Sequence, residues 1–151
     1  MIQTNHIKIF TVVLTSISYL IGEHWNLLLI LLILNILDAI TGTLKAKRTN
    51  KESSIIGFKG IIKKIAQWFL LLLSFLMSSC FKEIGYILEI NLSISTFLGW
   101  YVYTYFVINE CRSILENLYQ LGVSIPQVLI KGLEIANKVI DNNENSNPKN
   151  K

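Results

Sequence analysis

The chain offers no set of residues from which a catalytic or metal centre could be assembled. Histidine occurs only at His6 and His24, and cysteine only at Cys80 and Cys111. The cysteines form no CxxC pair, have no histidine at metal-ligand spacing, and lie in or beside apolar stretches. They read as small buried hydrophobes, not as zinc ligands or a disulfide framework. The serines have no base within a recognisable motif. Gly57 and Gly60 bracket Phe58-Lys59 without the GKS or GKT ending of a phosphate-binding loop, and resemble a loop-to-helix turn. No enzyme, metal or cofactor is expected.

Charge is the second scarcity. Charged residues make up 16% of the chain against 52% hydrophobic ones. Residues 9–22, 65–81 and 90–109 carry no charge, and residues 24–44 carry Asp38 alone. A helix rises about 1.5 Å per residue and a bilayer core is about 30 Å thick, so about 20 apolar residues span it. The last three blocks reach that length within their flanks, whereas the first is short. After it, Gly22-Glu23-His24-Trp25 offers no small-x-small cleavage site, so the segment is expected to be a retained helix.

The charge that is present is segregated. Residues 45–64 hold Lys45, Lys47, Arg48, Lys51, Lys59, Lys63 and Lys64 against one acid, Glu52; half of the fourteen basic residues lie there. A basic loop between apolar runs stays on the cytoplasmic side. These residues are expected to set topology and to contact anionic headgroups, with Lys63 and Lys64 snorkelling from a helix end. The net charge of +4 then needs no nucleic-acid partner, and no recognition motif accompanies it.

The expected fold is all-α: an integral membrane protein with three or four transmembrane helices and a C-terminal amphipathic cytoplasmic helix. The transmembrane domain covers 1–118, with helices over about 7–21, 25–44, 60–80 and 95–118 and a basic loop over 45–59. Trp25 and the run Trp100, Tyr101, Tyr103, Tyr105 are placed as interfacial aromatics. An outer loop is expected over 82–95. With four helices, both termini face the cytoplasm, and His6 and His24 fall on opposite sides of the membrane. Ser124-Ile125-Pro126-Gln127 opens a further helix over 119–140. Its apolar residues, from Ile125 to Ile140, recur at helical spacing opposite Gln127, Lys131, Glu134, Lys138 and Asp141. That helix suits a membrane surface or a partner helix. Residues 141–151, rich in Asn and Lys, are expected to be disordered.

Two acids stand out. Asp38 lies inside an apolar run, where a charge near the membrane centre costs about 2.5–3.5 kcal/mol. Glu110 lies at similar depth in another helix, between Asn109 and Cys111, with Arg112 two residues on and therefore on a different face. Both acids are expected to face helix–helix contacts. Gly42, four residues after Asp38, leaves room for a close approach beside it. Asp38, Gly42, Glu110 and Arg112 are thus the candidates for oligomerisation and gating.

These residues resemble the phage lysis and toxin-secretion holin family of Gram-positive phages and toxin loci. The likeness is carried by Asp38-x-x-x-Gly42, Lys45-Ala46 and the basic loop, then Ser53-Ser54, Gly57, Gly60-Ile61 and Lys63-Lys64. It continues in Tyr105–Leu118, where Glu110 precedes Ser113-Ile114-Leu115-Glu116-Asn117, and in the turn Gly122-Val123-x-x-Pro126. It covers about residues 35–140. The resemblance implies a small protein of the cytoplasmic membrane that homo-oligomerises and opens lesions. Through these a cell-wall hydrolase (an endolysin) or a large signal-less toxin escapes, without direct binding being implied. An antiholin shares the same signature. An accessory subunit of a membrane complex, or a small transporter, fits the helices and charges as well.

Overall fold

Four α-helices follow one another, and no strand occurs among the described residues, which in this computed structural model are 8–9, 11–12, 15–16, 24–50, 52–92 and 97–145. They are α1 (Asn26–Arg48), α2 (Ser54–Ile87), α3 (Phe97–Gln120) and α4 (Gln127–Asn145). Most of the helix expected over 7–21 lies outside the described residues. Its described members Lys8, Ile9, Thr11, Val12, Thr15 and Ser16 are helical, and the Thr15 and Ser16 hydroxyls each donate to the carbonyl four residues back at 2.9 Å.

The connections are shorter than the charge pattern implies. The basic segment 45–59 is mostly helical: Lys45, Lys47 and Arg48 form the last turn of α1, and α2 has begun by Ser54. Lysine and arginine are good helix formers, and at a C-terminus they complement the helix dipole. What stops α1 is Asn50, in the left-handed region at φ 50°, after Thr49 N–H bonds back to the Lys45 carbonyl. Gly57 and Gly60 accordingly sit inside α2, not in a loop-to-helix turn. At its other end α2 runs through Lys82 and Glu83 to Ile87, taking the first part of the expected outer loop; residues 93–96 of that loop are outside the described set. There Glu89 takes φ 53°, with Glu89 N–H to Tyr86 and Ile90 N–H to Gly85 closing a Schellman turn. The same motif ends α3. Gly122 at φ 84° is followed by Val123, whose N–H reaches the Leu118 carbonyl at 3.1 Å. α4 extends to Asn145, so 141–145 of the expected disordered tail are helical; 146–151 lie outside the described residues.

Among the described residues two helices, α1 and α2, are long and apolar enough to cross a membrane. They are not the sheltered core helices of a globular domain. Ile33, Ile36 and Ile40 on α1, and Phe69, Leu70 and Leu73 on α2, are exposed. At 34 residues, α2 is about 51 Å long and outruns a hydrocarbon layer by several turns. α3 does not meet the same criterion, because its aromatic and polar residues lower its hydropathy. Its place in the packing explains why it tolerates them. α3 lies against both α1 and α2, while those two touch each other little, and α4 rests on α3.

At one end of the bundle the core is apolar and aromatic: Leu31, Leu71, Phe75 and Tyr103 are buried, with Trp68, Trp100 and Phe106 against them. The expected aromatic belt is therefore partly interior. Trp100 packs edge-on to Phe75 at 5.2 Å and to Tyr103 at 5.7 Å, and the Tyr103 hydroxyl donates to the Leu27 carbonyl at 2.9 Å. Tyr105 faces outward. Gly99 allows this packing. Its N–H donates to Ser78 Oγ at 3.1 Å, and a Cβ there would come within 2.5 Å of the Phe75 ring. A Gly99→Ala variant is expected to lose about 1–3 kcal/mol by overpacking, read as a lowered unfolding midpoint in mild detergent. A matched Gly57→Ala control, where a Cβ meets nothing within 4 Å, should not lose stability.

Candidate functional site

At the other end of the bundle the interior is polar. Its centre is Lys64 of α2. The ammonium lies 2.9 Å from Asp38 Oδ2 on α1 and 2.6 Å from Glu110 Oε2 on α3, and it donates to Asn35 Oδ1 at 3.2 Å. A lysine has three N–H donors, and each finds an acceptor here, two on α1 and one on α3. Lys64 thus ties together the two helices on either side of it, including the one that α2 scarcely touches.

A second layer supports the first. Asn117 of α3 donates from Nδ2 to Asp38 Oδ1 at 3.1 Å and to Thr41 Oγ1 at 3.3 Å. The Thr41 hydroxyl donates to the Leu37 carbonyl at 2.9 Å, and Asn35 Nδ2 to the Leu31 carbonyl at 2.9 Å. Asn35, Thr41, Glu110 and Asn117 are all buried. Among the described residues no buried side-chain nitrogen or oxygen lacks a partner. That completeness is what makes a polar interior tolerable, since an orphaned group would carry its whole desolvation cost.

The residues singled out from the sequence fall into three groups. Asp38 and Glu110 meet at one cation, so both face helix contacts. Lys64, expected at the lipid surface, instead points inward; its side chain is 21% exposed. Its neighbour Lys63 is exposed, as are Lys47, Arg48 and Lys59, while Lys45 is half-buried and Lys51 is outside the described residues. Arg112 is exposed and stands apart from the cluster. Gly42 does border the site, but a side-chain amide fills the space, not a backbone. A Cβ there would sit 3.6 Å from Asn117 Nδ2, an ordinary contact, so the position does not require glycine. Asn35 and Thr41 are not among the sequence candidates, and Asn117 enters there only within the block that carries the family resemblance. Their signal is spacing: Asn35, Asp38 and Thr41 or Gly42 recur every three or four residues along α1, as do Glu110, Ser113 and Asn117 along α3.

A cleft of about 570 Å³ opens beside the cluster, between α2 and α3, with Asp38, Lys64 and Glu110 in its wall. Two carboxyl groups on one ammonium make the cluster asymmetric. Removing the cation leaves two acids facing each other, whereas removing one acid leaves an intact pair. Breaking a buried pair costs about 3–5 kcal/mol. Partial exposure of Lys64 places Lys64→Met near the low end, about 3 kcal/mol. Asp38→Asn and Glu110→Gln should each cost clearly less. Combining Lys64→Met with Asp38→Asn and Glu110→Gln should recover much of the loss. Thermal unfolding of the set in one detergent checks this, and strictly additive losses would show that the three groups do not act as a unit.

Residues 15–138 match the family model of the bacteriophage holin family. The chain is 35% identical over 120 residues to a probable holin of Bacillus phage phi105, covering 78% of each chain. It is 34% identical over 134 residues to an uncharacterized 14.9 kDa protein in the nagH 3' region of Clostridium perfringens, covering 88% of this chain and 94% of that one. It is 32% identical over 107 residues to the uncharacterized protein YqxH of Bacillus subtilis, covering 70% of this chain and 67% of that one. No solved structure matches it significantly.

Proposed function

This chain belongs to the bacteriophage holin family, and we propose that it acts as a holin: it accumulates in the cytoplasmic membrane, associates with further copies of itself, and opens lesions that release a cell-wall hydrolase or a signal-less toxin. The observation that carries this reading is the family match over residues 15–138, together with its likeness to a probable phage holin. The physical form of the chain supports it. α1 and α2 turn apolar side chains outward along lengths that can cross a bilayer. α3 is read as a further span whose polar residues are sheltered between them. The turn at residues 49–53, flanked by Lys45, Lys47, Arg48 and Lys59, is then cytoplasmic. α4 follows α3 on the same side, and both termini are cytoplasmic if the segment before His24 also spans.

In this reading Asp38, Lys64 and Glu110 form a latch within one subunit. While closed, each polar group is partnered inside the protein and the lipid meets hydrocarbon. Lesion formation requires a polar wall, and the polar seam between the helices supplies it once the helices separate and water replaces the internal partners. Weakening the latch lowers the barrier to opening.

The test is co-expression in bacteria of this chain with a signal-less endolysin and nothing else from the phage. Abrupt lysis, advanced by an energy poison, is expected. Continued growth with the protein confirmed in the membrane would turn the reading toward an antiholin or an accessory subunit. In the same assay Asp38→Asn and Glu110→Gln are expected to bring lysis forward, and unchanged onset in both would remove these acids from gating. Deleting residues 124–151 should also shift onset, because α4 leaves Val128, Leu129 and Ile135 exposed toward the inner leaflet; an unshifted onset makes the tail a passive extension.

A further inference from the structure

The cleft beside the latch has a polar end and an apolar end, and the latch does not use all of it. At the end nearer the 49–53 turn it is lined by Lys63, Asn109 and Ser113, and toward the middle of the bundle by Ala66, Leu70 and Phe106. Lys64 also borders it, but three acceptors already occupy its ammonium. Lys63 is different. It is exposed and forms no ion pair among the described residues. Lys59 stands one helical turn before it, on the same side of α2. Between them Gly60 lines the mouth without a side chain, and a Cβ there would meet nothing within 4 Å.

We propose that this cleft is a site for one anionic phospholipid of the cytoplasmic leaflet, its phosphodiester at Lys63 and Lys59 and its acyl chain along Ala66, Leu70 and Phe106. The inference rests on the membrane reading given above. Charge complementarity selects the headgroup: the phosphate meets Lys63 and Lys59, neither of which has a carboxylate partner among the described residues, while Lys64 keeps Asp38 and Glu110 engaged deeper in the wall. The Asn109 amide and the Ser113 hydroxyl add hydrogen-bonding groups at the same level. The apolar half selects a lipid over a free phosphate, which would leave Leu70 and Phe106 uncovered. The volume, about 570 Å³, accommodates a headgroup with the first part of a chain, the remainder lying in the bilayer. Basic pockets between membrane helices on the cytoplasmic side recur as sites for such headgroups. Seated there, the lipid braces α2 against α3 at the level of the latch, so the closed state depends on the headgroup composition of the leaflet.

Native mass spectrometry of the full chain in mild detergent, where no leaflet exists to attract lysines in bulk, reads the site directly. With added phosphatidylglycerol, one lipid per subunit is expected to be retained, and phosphatidylcholine is not. Lys63→Gln should weaken retention about tenfold or more, as loss of a charge-assisted hydrogen bond predicts. Lys82→Gln removes the same charge from an exposed position at the far end of α2, outside the cleft, and should change nothing. Ala66→Phe, at an exposed position, should fill the apolar half and expel the lipid. Equal retention of both lipids, equal loss in Lys63→Gln and Lys82→Gln, or retention in Ala66→Phe overturns the proposal. Binding of inorganic phosphate with no retained lipid overturns it as well. Carbonate washing of the source membranes separates this from the wider reading. Protein that stays in washed membranes yet holds no lipid removes only the cleft site, whereas protein that washes off removes the membrane reading itself.

Discussion

Everything at one end of this bundle depends on a single ammonium group with three acceptors. Lys64 sits on a helix that barely touches α1, yet two of its three contacts are to α1 and the third is to α3. A buried ion pair is a poor source of net stability, because desolvation consumes most of the Coulombic gain. Its better-attested use is to fix register, and the geometry here suits that use. Sliding α2 by one turn along α3 moves Lys64 about 5.4 Å, which removes every partner at once and leaves two carboxyl groups without a cation. Packing adds to that penalty at the other end of the bundle, where Phe75 is seated against Gly99.

The interior of the bundle mixes apolar with polar residues more than a globular core does. Along α2 the inward positions are Lys64, Gln67, Leu71, Ser74, Phe75 and Ser78, with Gly85 one heptad further on. Along α3 they are Gly99, Tyr103, Ile108, Glu110 and Asn117. Most of these residues stand three, four or seven apart and so share one face of each helix. Between helices already surrounded by hydrocarbon, leucine against leucine gains nothing over leucine against lipid, so small and hydrogen-bonding residues decide which faces meet. Ser78 with Gly99 at one end, and Lys64 with Glu110 at the other, fasten the α2–α3 seam at both ends in this way.

How much of this was legible in the sequence follows from the same physics. The apolar runs around α1 and α3 mark helices whose ends lie within a few residues of the expected ones. The ends of α2 were misplaced because charge was taken as the limit of the helix. Charge limits the hydrocarbon-compatible stretch, but the backbone sets the helix: α2 opens at the extended Ser53 and closes where Glu89 turns left-handed, and glutamate, unlike glycine or asparagine, is no stop signal. Asp38 and Glu110 were conspicuous because each interrupts an apolar run. Lys64 was hidden by its neighbours. It adjoins Lys63 and closes a basic segment, so both lysines read as one surface feature, although about 100° of rotation separates them on a helix. The spacing that distinguishes them, Lys64-Gln67-Leu71-Ser74-Ser78, is in the sequence, but it emerges only when the polar residues of an apolar run are read as the buried set.

α3 shows what this arrangement means for the opening proposed above. It is the most polar of the three packed helices, and it is the one against which both others lie. Alone in a bilayer it would expose Glu110, Asn117 and the Tyr103 hydroxyl to lipid, whereas α1 and α2 lose little on the faces they already turn outward. The α1–α2 pair is therefore a sheath, and α3 is the element whose surroundings must change if the subunit opens. Water is the one alternative to the sheath that satisfies the same groups. A polar seam that is fully partnered when closed, and fully hydrated when open, gives two states separated by the loss of internal partners before water arrives. On the proposed function, the barrier so created lies in the hydrogen-bonded cluster around Lys64, not in the apolar surfaces: the surfaces would set where the protein resides, and the cluster how long it stays closed.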